Sequence, residues 1–318
     1  MEKNIFYETV KEGVLENLNM EGLNVTATLK DVKKNNGLEL KGLSFMGEDK
    51  VQPVVYLDSF YAEYESGHLD LGEVIDKVTN AYHNSNAGAT FDIDSILDYE
   101  KVKDKLTVVV RNAEMNDAQL ETVPHEVHED LAEMYRIEVD NVDGVTGSVL
   151  VTNDMLKHFG VDEETLKKDA WDSMKVNHPG QMKNMFDVLN EIYKDKFGED
   201  MPADMMEVMG AGRPRMYVYS NDDKMNGAVY MLDKEAMGKV AEEFGESFAV
   251  LPSSIHEVII LPESVVDDYE SLKSMVEEVN ATQVSLDEKL SDNVYRFDMD
   301  TQELSLYNGQ SESMDMKM

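Results

Sequence analysis

The strand-like runs of this chain come in turn-linked pairs, and that most constrains its fold. Residues 24–29 alternate through Val25-Thr26-Ala27-Thr28, and residues 38–45 alternate again after Asn35-Asn36-Gly37. An Asn-Gly step between two alternating runs predicts a hairpin, because both central residues tolerate positive φ. Residues 135–139 and 148–151 flank Asp143-Gly144, and residues 216–219 and 228–231 flank Asn226-Gly227. A last pair, 294–297 and 304–307, surrounds Asp300-Thr301. Tight turns join antiparallel strands, whereas parallel strands need long crossovers. The helical runs lie between the pairs without regular βαβ alternation. The expected fold class is therefore α+β, with antiparallel β-hairpins packed against amphipathic helices.

The helical runs are marked by apolar periodicity and by their ends. Ile5, Phe6, Val10, Leu15 and Leu18 define an opening helix, and residues 58–82 a second helical stretch broken near Gly67. Met182, Met185, Phe186, Leu189, Tyr193 and Phe197 predict a core face, and Leu272, Met275, Val276 and Val279 a last amphipathic helix. Two strand–turn–strand units are each followed by a helix stopped by glycine, at Phe159-Gly160 and Phe244-Gly245. Duplication would produce this internal strand–turn–strand–helix echo, and so would a common local solution, since few side chains match. The charge cluster at 98–105 places a boundary there. The expected organisation is residues 1–105 with a helix, a hairpin and a helical region, residues 106–310 with both echo units, and a frayed tail at 311–318.

Composition narrows the function classes. With 65 Asp+Glu against 29 Lys+Arg, the net charge is −36. Nucleic-acid binding needs clustered Lys and Arg, and docking on anionic lipid needs a polybasic face, so neither partner is expected. No cysteine is present, which removes disulfides, thiolate nucleophiles and Cys-ligated metal centres. No window approaches the ~20 apolar residues of a bilayer span, and the acidic, helical start has no secretory pattern. A cytoplasmic protein is expected. The acids are dispersed, the longest run being Asp162-Glu163-Glu164. Most of the 22 methionines, among them Met205, Met206 and Met209, read as adaptable core filler.

Four segments carry residues with possible chemistry. His125-Glu126-Val127-His128-Glu129 invites a metal reading, but its histidines are three apart rather than the four that share a zincin helix face. An acid-rich helix start after Pro124 accounts for it better, and no metal is expected. Asp92, Asp94 and Asp98 resemble the opening of a calcium loop without its glycine and terminal glutamate, and read as a helix N-cap. Arg213 and Arg215, in Gly210-Ala211-Gly212-Arg213-Pro214-Arg215, form a local cationic spot. They are candidate anion ligands, or else partners of surrounding carboxylates. In Pro252-Ser253-Ser254-Ile255-His256-Glu257, the hydroxyl of Ser254, the imidazole of His256 and the carboxylate of Glu257 are the ingredients of nucleophilic catalysis. The same three residues also suit a hydrogen-bonded turn leading into a strand, and no Gly-x-Ser-x-Gly elbow is present.

Several stretches together resemble a known family. They are Met216-Tyr217-Val218-Tyr219-Ser220-Asn221, Gly227-Ala228, residues 251–259, residues 275–280 and Leu290-Ser291-Asp292-Asn293-Val294-Tyr295, with Gly37-Leu38-Glu39-Leu40-Lys41-Gly42-Leu43 near the start. This combination is similar to the domain-of-unknown-function family numbered 5688. The resemblance implies a coherent intracellular bacterial protein and transfers no activity, cofactor or catalytic residue.

With no complete catalytic or cofactor motif, the expected role is that of a non-catalytic interaction or regulatory protein, its acidic surface suited to a basic protein partner. The alternative is a small-molecule or peptide hydrolase using Ser254 and His256. Enzymatic activity stays open, and no cofactor is expected.

Overall fold

The computed structural model describes residues 1–47, 50–86, 93–139, 147–208 and 216–308. Two compact units make up the chain: residues 1–98 with 138–149, and residues 99–137 with 150–318. The expected turn at Asp143-Gly144, the calcium-like Asp92, the Arg213 and Arg215 spot and the frayed tail lie outside the described residues. No described helix is long and apolar enough to cross a membrane.

The first unit is built from helix α1 (Lys3–Met20), strands β1 (Thr26–Lys33), β2 (Glu39–Gly47) and β3 (Lys50–Tyr56), helices α2 (Asp58–Glu65) and α3 (Leu71–Asn86), and a short helical turn α4 (Ile93–Ile96). The three strands form one antiparallel sheet in chain order. The Asn-Gly turn is as expected: Asn36 has φ 56° and Gly37 φ 69°, and Thr26 through Lys33 pair with Met46 through Glu39. Phe6, Val10, Val14 and Leu18 of α1 are buried with Leu43, Phe45, Val74 and Val78. Ile5, expected on that face, is exposed and Tyr7 is buried instead. Gly13 lets α1 approach α3 closely, since a Cβ there would lie 2.5 Å from Ile75 Cδ1.

The second unit begins with the helical turn α5 (Tyr99–Val102), strand β4 (Leu106–Asn112), the turn α6 (Asp117–Leu120) and strands β5 (His125–His128) and β6 (Leu131–Val139). These strands form an antiparallel sheet in the order β4-β6-β5; β7 (Gly147–Leu150), which but for Leu150 lies in the first unit with the last two residues of β6, also pairs with β6. Helices α7 (Asn153–Phe159) and α8 (Glu163–Asn177) follow. The remaining elements are β8 (Gly180–Asn184), α9 (Met185–Phe197), α10 (Ala203–Val208), β9 (Tyr217–Asn221), α11 (Lys234–Phe244), β10 (Phe248–Leu251), β11 (Val258–Pro262), α12 (Tyr269–Thr282), β12 (Tyr295–Asp298) and β13 (Glu303–Leu306). Six of the strands form a further sheet in the order β13-β12-β10-β11-β9-β8, each neighbouring pair antiparallel. Antiparallel sheets packed with helices make the fold α+β.

Four expectations are corrected. Residues 125–128 are strand β5 and not a helix start, because Glu126 and Val127 pair with Glu133 and Ala132 of β6. Residues 227–232 form a buried 3₁₀ helix instead of a second strand, so the internal repeat is absent from its second copy. Ala228, Val229, Tyr230 and Met231 are all buried, so no face of the segment alternates outward as a half-buried strand would require. The periodic face of α9 is only half-buried, with Phe197 exposed at 58%, and Met182 belongs to β8. On α12 the inward stripe is Leu272, Val276 and Asn280, while Met275 and Val279 face out.

Candidate functional site

One group of polar side chains in the second unit gathers around the C-terminal end of β4. Asn112 closes that strand and donates from Nδ2 to the Leu290 carbonyl at 3.1 Å. Segment 288–291 in turn pairs with the loop between β10 and β11. Ile255 N donates to Glu288 O at 2.9 Å, Leu290 N to Ser253 O at 3.0 Å, and Ser291 N to Pro252 O at 3.0 Å. This places the Ser254, His256 and Glu257 segment beside the turn at Asn226 and Gly227. That turn needs glycine: a Cβ on Gly227 would sit 2.5 Å from the Asn221 nitrogen and 2.9 Å from the His256 carbonyl oxygen.

Within this junction Ser254 is buried, and its Oγ accepts the His256 backbone N–H at 3.0 Å. The imidazole turns elsewhere. Asn226 N–H lies 3.3 Å from His256 Nδ1, which must therefore be the acceptor nitrogen. Nε2 then carries the proton and faces Glu288 Oε1 at 3.5 Å. The His256 carbonyl accepts from Ser220 Oγ at 2.7 Å. Burial raises the Glu257 carboxyl above its usual range, opposed by His256 and the Ser254 hydroxyl. Ser254, His256 and Glu257 are thus neighbours, yet hydroxyl and imidazole share no side-chain hydrogen bond. Base-activated attack requires that contact. What these residues do in the described geometry is join three loops.

Asn226 extends the junction to a residue that sequence reasoning missed. Its Oδ1 accepts from Arg111 Nη2 at 2.9 Å, and Arg111 Nη1 donates to the Val110 carbonyl at 2.7 Å. Arg111 is buried, 7% exposed, at the end of the apolar run Val108-Val109-Val110. On the far side of the junction Asp130 accepts from Ser291 Oγ at 2.6 Å and Asn293 Nδ2 at 2.9 Å, and also from the Tyr295 hydroxyl. The Ser, Asn and Tyr of the stretch Leu290-Ser291-Asp292-Asn293-Val294-Tyr295 therefore converge on one carboxylate.

A second polar group lies on the β5–β6 pair. Glu126 and Glu133 are direct cross-strand neighbours, an arrangement of like charges that needs compensation. Lys167 of α8 supplies it, contacting Glu126 and approaching Glu133 Oε2 at 3.7 Å. Glu133 is 1% exposed, and its Oε1 accepts from the Tyr135 hydroxyl at 3.0 Å and Trp171 Nε1 at 3.1 Å. Burial opposes ionisation of Glu133, but His128, Lys167, Tyr135 and Trp171 together hold its carboxyl below the usual range. Ligand atoms of Glu126, His128 and Glu133 lie within 4.8 Å of one another, as do those of His178, Asp222 and Asp223. Each trio has the donor types a divalent cation accepts, although in the first the Lys167 ammonium already lies against both carboxylates. An open cleft of about 350 Å³ along α8 is lined by Lys103, Asp104, Asp169, Asp172, Ser173, Val176 and Asn177.

The sequence matches the model of a family of unknown function (DUF5688) over residues 3–299. The chain belongs to that family. Its match spans both compact units, including the junction residues Arg111, Asn226, Ser254, His256 and Ser291. No curated protein and no solved structure matches the chain.

Proposed function

We propose that this member of DUF5688 is a non-catalytic interaction protein that docks a basic protein partner. The observation that carries this reading is the outer face of α12. Met275 and Val279 lie one turn apart and are 49% and 36% exposed, with Glu278 beside them. Among the described residues no salt bridge reaches Glu270, Glu277 or Glu278. An apolar stripe edged by unpaired carboxylates complements a cationic amphipathic segment. The net charge of −36 raises the encounter rate with such a partner at low salt.

The test is fluorescence anisotropy with a labelled Lys/Leu amphipathic peptide at two salt concentrations. Met275→Ser with Val279→Ser leaves net charge unchanged, so it separates docking from general attraction. Two half-exposed apolar side chains contribute about 1–2 kcal/mol on full burial, so the double variant binds roughly tenfold more weakly. Equal affinity of the double variant and the parent protein, or no binding at low salt, would sink the proposal.

A further inference from the structure

The β4–β6 ladder carries two arginines on one face. Arg111 pairs with Ala132, Val109 with Met134 and Thr107 with Arg136, without a register shift. Alternation along both strands therefore puts Arg111 and Arg136 on the same side, separated by the Val109–Met134 pair. Arg111 has only two hydrogen-bond partners, the Val110 carbonyl and Asn226 Oδ1, and both are neutral. Arg136 Nε is buried and has no hydrogen-bond partner. Among the described residues no carboxylate meets either guanidinium.

This is unusual physics for an acidic chain. A buried ionised group is normally paired, because unpaired burial costs several kcal/mol, and a guanidinium cannot escape by losing its proton near neutral pH. Burial and repulsion from Arg136 push the Arg111 guanidinium down to about 9, still charged at pH 7. Burial alone lowers Arg136. The other buried charge of this sheet, Glu133, is fully attended by donors and cations. Of the arginines among the described residues, Arg296 sits on two carboxylates, Glu263 and Asp298. Arg111 and Arg136 alone among these three lack one. Two guanidiniums on one sheet face, neither met by a carboxylate among the described residues, are the donors that an oxyanion pairs with.

We propose that Arg111 and Arg136 form a binding site for a small oxyanion, a phosphate or a carboxylate group, on the β4–β6 face. The site is separate from the outer face of α12 and does not depend on the docking reading. Asn226 is its positioning residue, holding the Arg111 guanidinium through Oδ1 while its backbone N–H holds His256. Occupancy by an oxyanion would thus bear directly on the junction loops.

The full chain is titrated with inorganic phosphate in one arm and succinate in the other, against sodium chloride at matched ionic strength, and its thermal unfolding and binding heat are followed. A saturable rise of roughly 5–10 °C at a hundredfold excess over the dissociation constant, absent with chloride, is expected in at least one arm. The arm that responds identifies phosphate or carboxylate as the group. Arg136→Gln, at the less buried position, should abolish the saturable response while the protein stays folded. Arg111→Gln should abolish it too, but it also breaks the Asn226 contact, so Arg136→Gln decides the matter if that protein does not fold. No saturable response in either arm, or a response unchanged in Arg136→Gln, would overturn the site.

Discussion

Gly227 and Ser254 show how individual residues fix the junction. Replacing Gly227 by alanine drives a Cβ to 2.5 Å from the Asn221 nitrogen, where backbone and not a flexible side-chain tip must move. Overpacking of this kind costs about 1–3 kcal/mol, and a chemical denaturation curve should show it as a lower midpoint with the same slope. Ser254→Ala removes the acceptor of the His256 N–H and should cost about 1 kcal/mol. If the hydroxyl serves only this structural bond, labelling by a serine-reactive probe will be the same in parent and variant. Loss of labelling in the variant would instead restore the hydrolase reading. The Asn226-Gly227 step was legible in the sequence as a turn, and Asn226 does take the left-handed conformation at φ 56°. Arg111 was not legible as buried. Its burial depends on pairing with Ala132 and on the Asn226 turn 115 positions away, and a lone Arg after three valines carries neither fact.

Elements whose two faces differ in burial were the easier ones to read. The β1–β2 and β12–β13 hairpins alternate in burial, and their pairing follows the turns that the sequence marked. Residues 227–232 were misread because a short apolar run buried all round has no period to distinguish strand from 3₁₀ helix. Strand β5 was hidden because His125-Glu126-Val127-His128-Glu129 has helix-like acids, and only its partner β6 shows the ladder. The β12–β13 hairpin makes an element-scale prediction. Backbone N–H of Thr301 and the Arg296 guanidinium lower the Asp298 carboxyl from 3.8 to about 2. A carboxyl depressed on folding stabilises the native state above its unfolded value, and that contribution is lost as pH falls through the folded value. The Asp298 share is therefore complete above pH 3.8 and disappears as pH falls towards about 2. Acid titration of stability in Asp298→Asn should lack this component, while remaining pH-dependent through Glu133 and Asp58, which are also lowered. An unaltered acid titration in the variant would show that the hairpin opens before Asp298 titrates.

For the molecule as a whole, the net charge of −36 acts on stability as well as on partners. Local ion pairs such as Lys3 with Asp58 at 2.9 Å and Lys175 with Asp233 at 2.9 Å are favourable and weaken in salt. The long-range repulsion among surplus carboxylates is unfavourable and weakens too, with a Debye length of about 8 Å at physiological ionic strength and about 3 Å at 1 M. The sign of the salt response reports which dominates. Surface pairs contribute about 0–1 kcal/mol each, and 29 basic residues can neutralise fewer than half of 65 acids. Repulsion should therefore prevail, since a high net charge destabilises the compact state. Melting temperature should rise between 20 mM and 500 mM sodium chloride, smoothly and without saturation at low concentration. Diffuse screening differs in form from site occupancy: it depends on ionic strength alone and survives Arg136→Gln, whereas an oxyanion bound at Arg111 and Arg136 saturates and is chemically selective. A melting temperature that fell with sodium chloride would show that the local pairs outweigh the net repulsion.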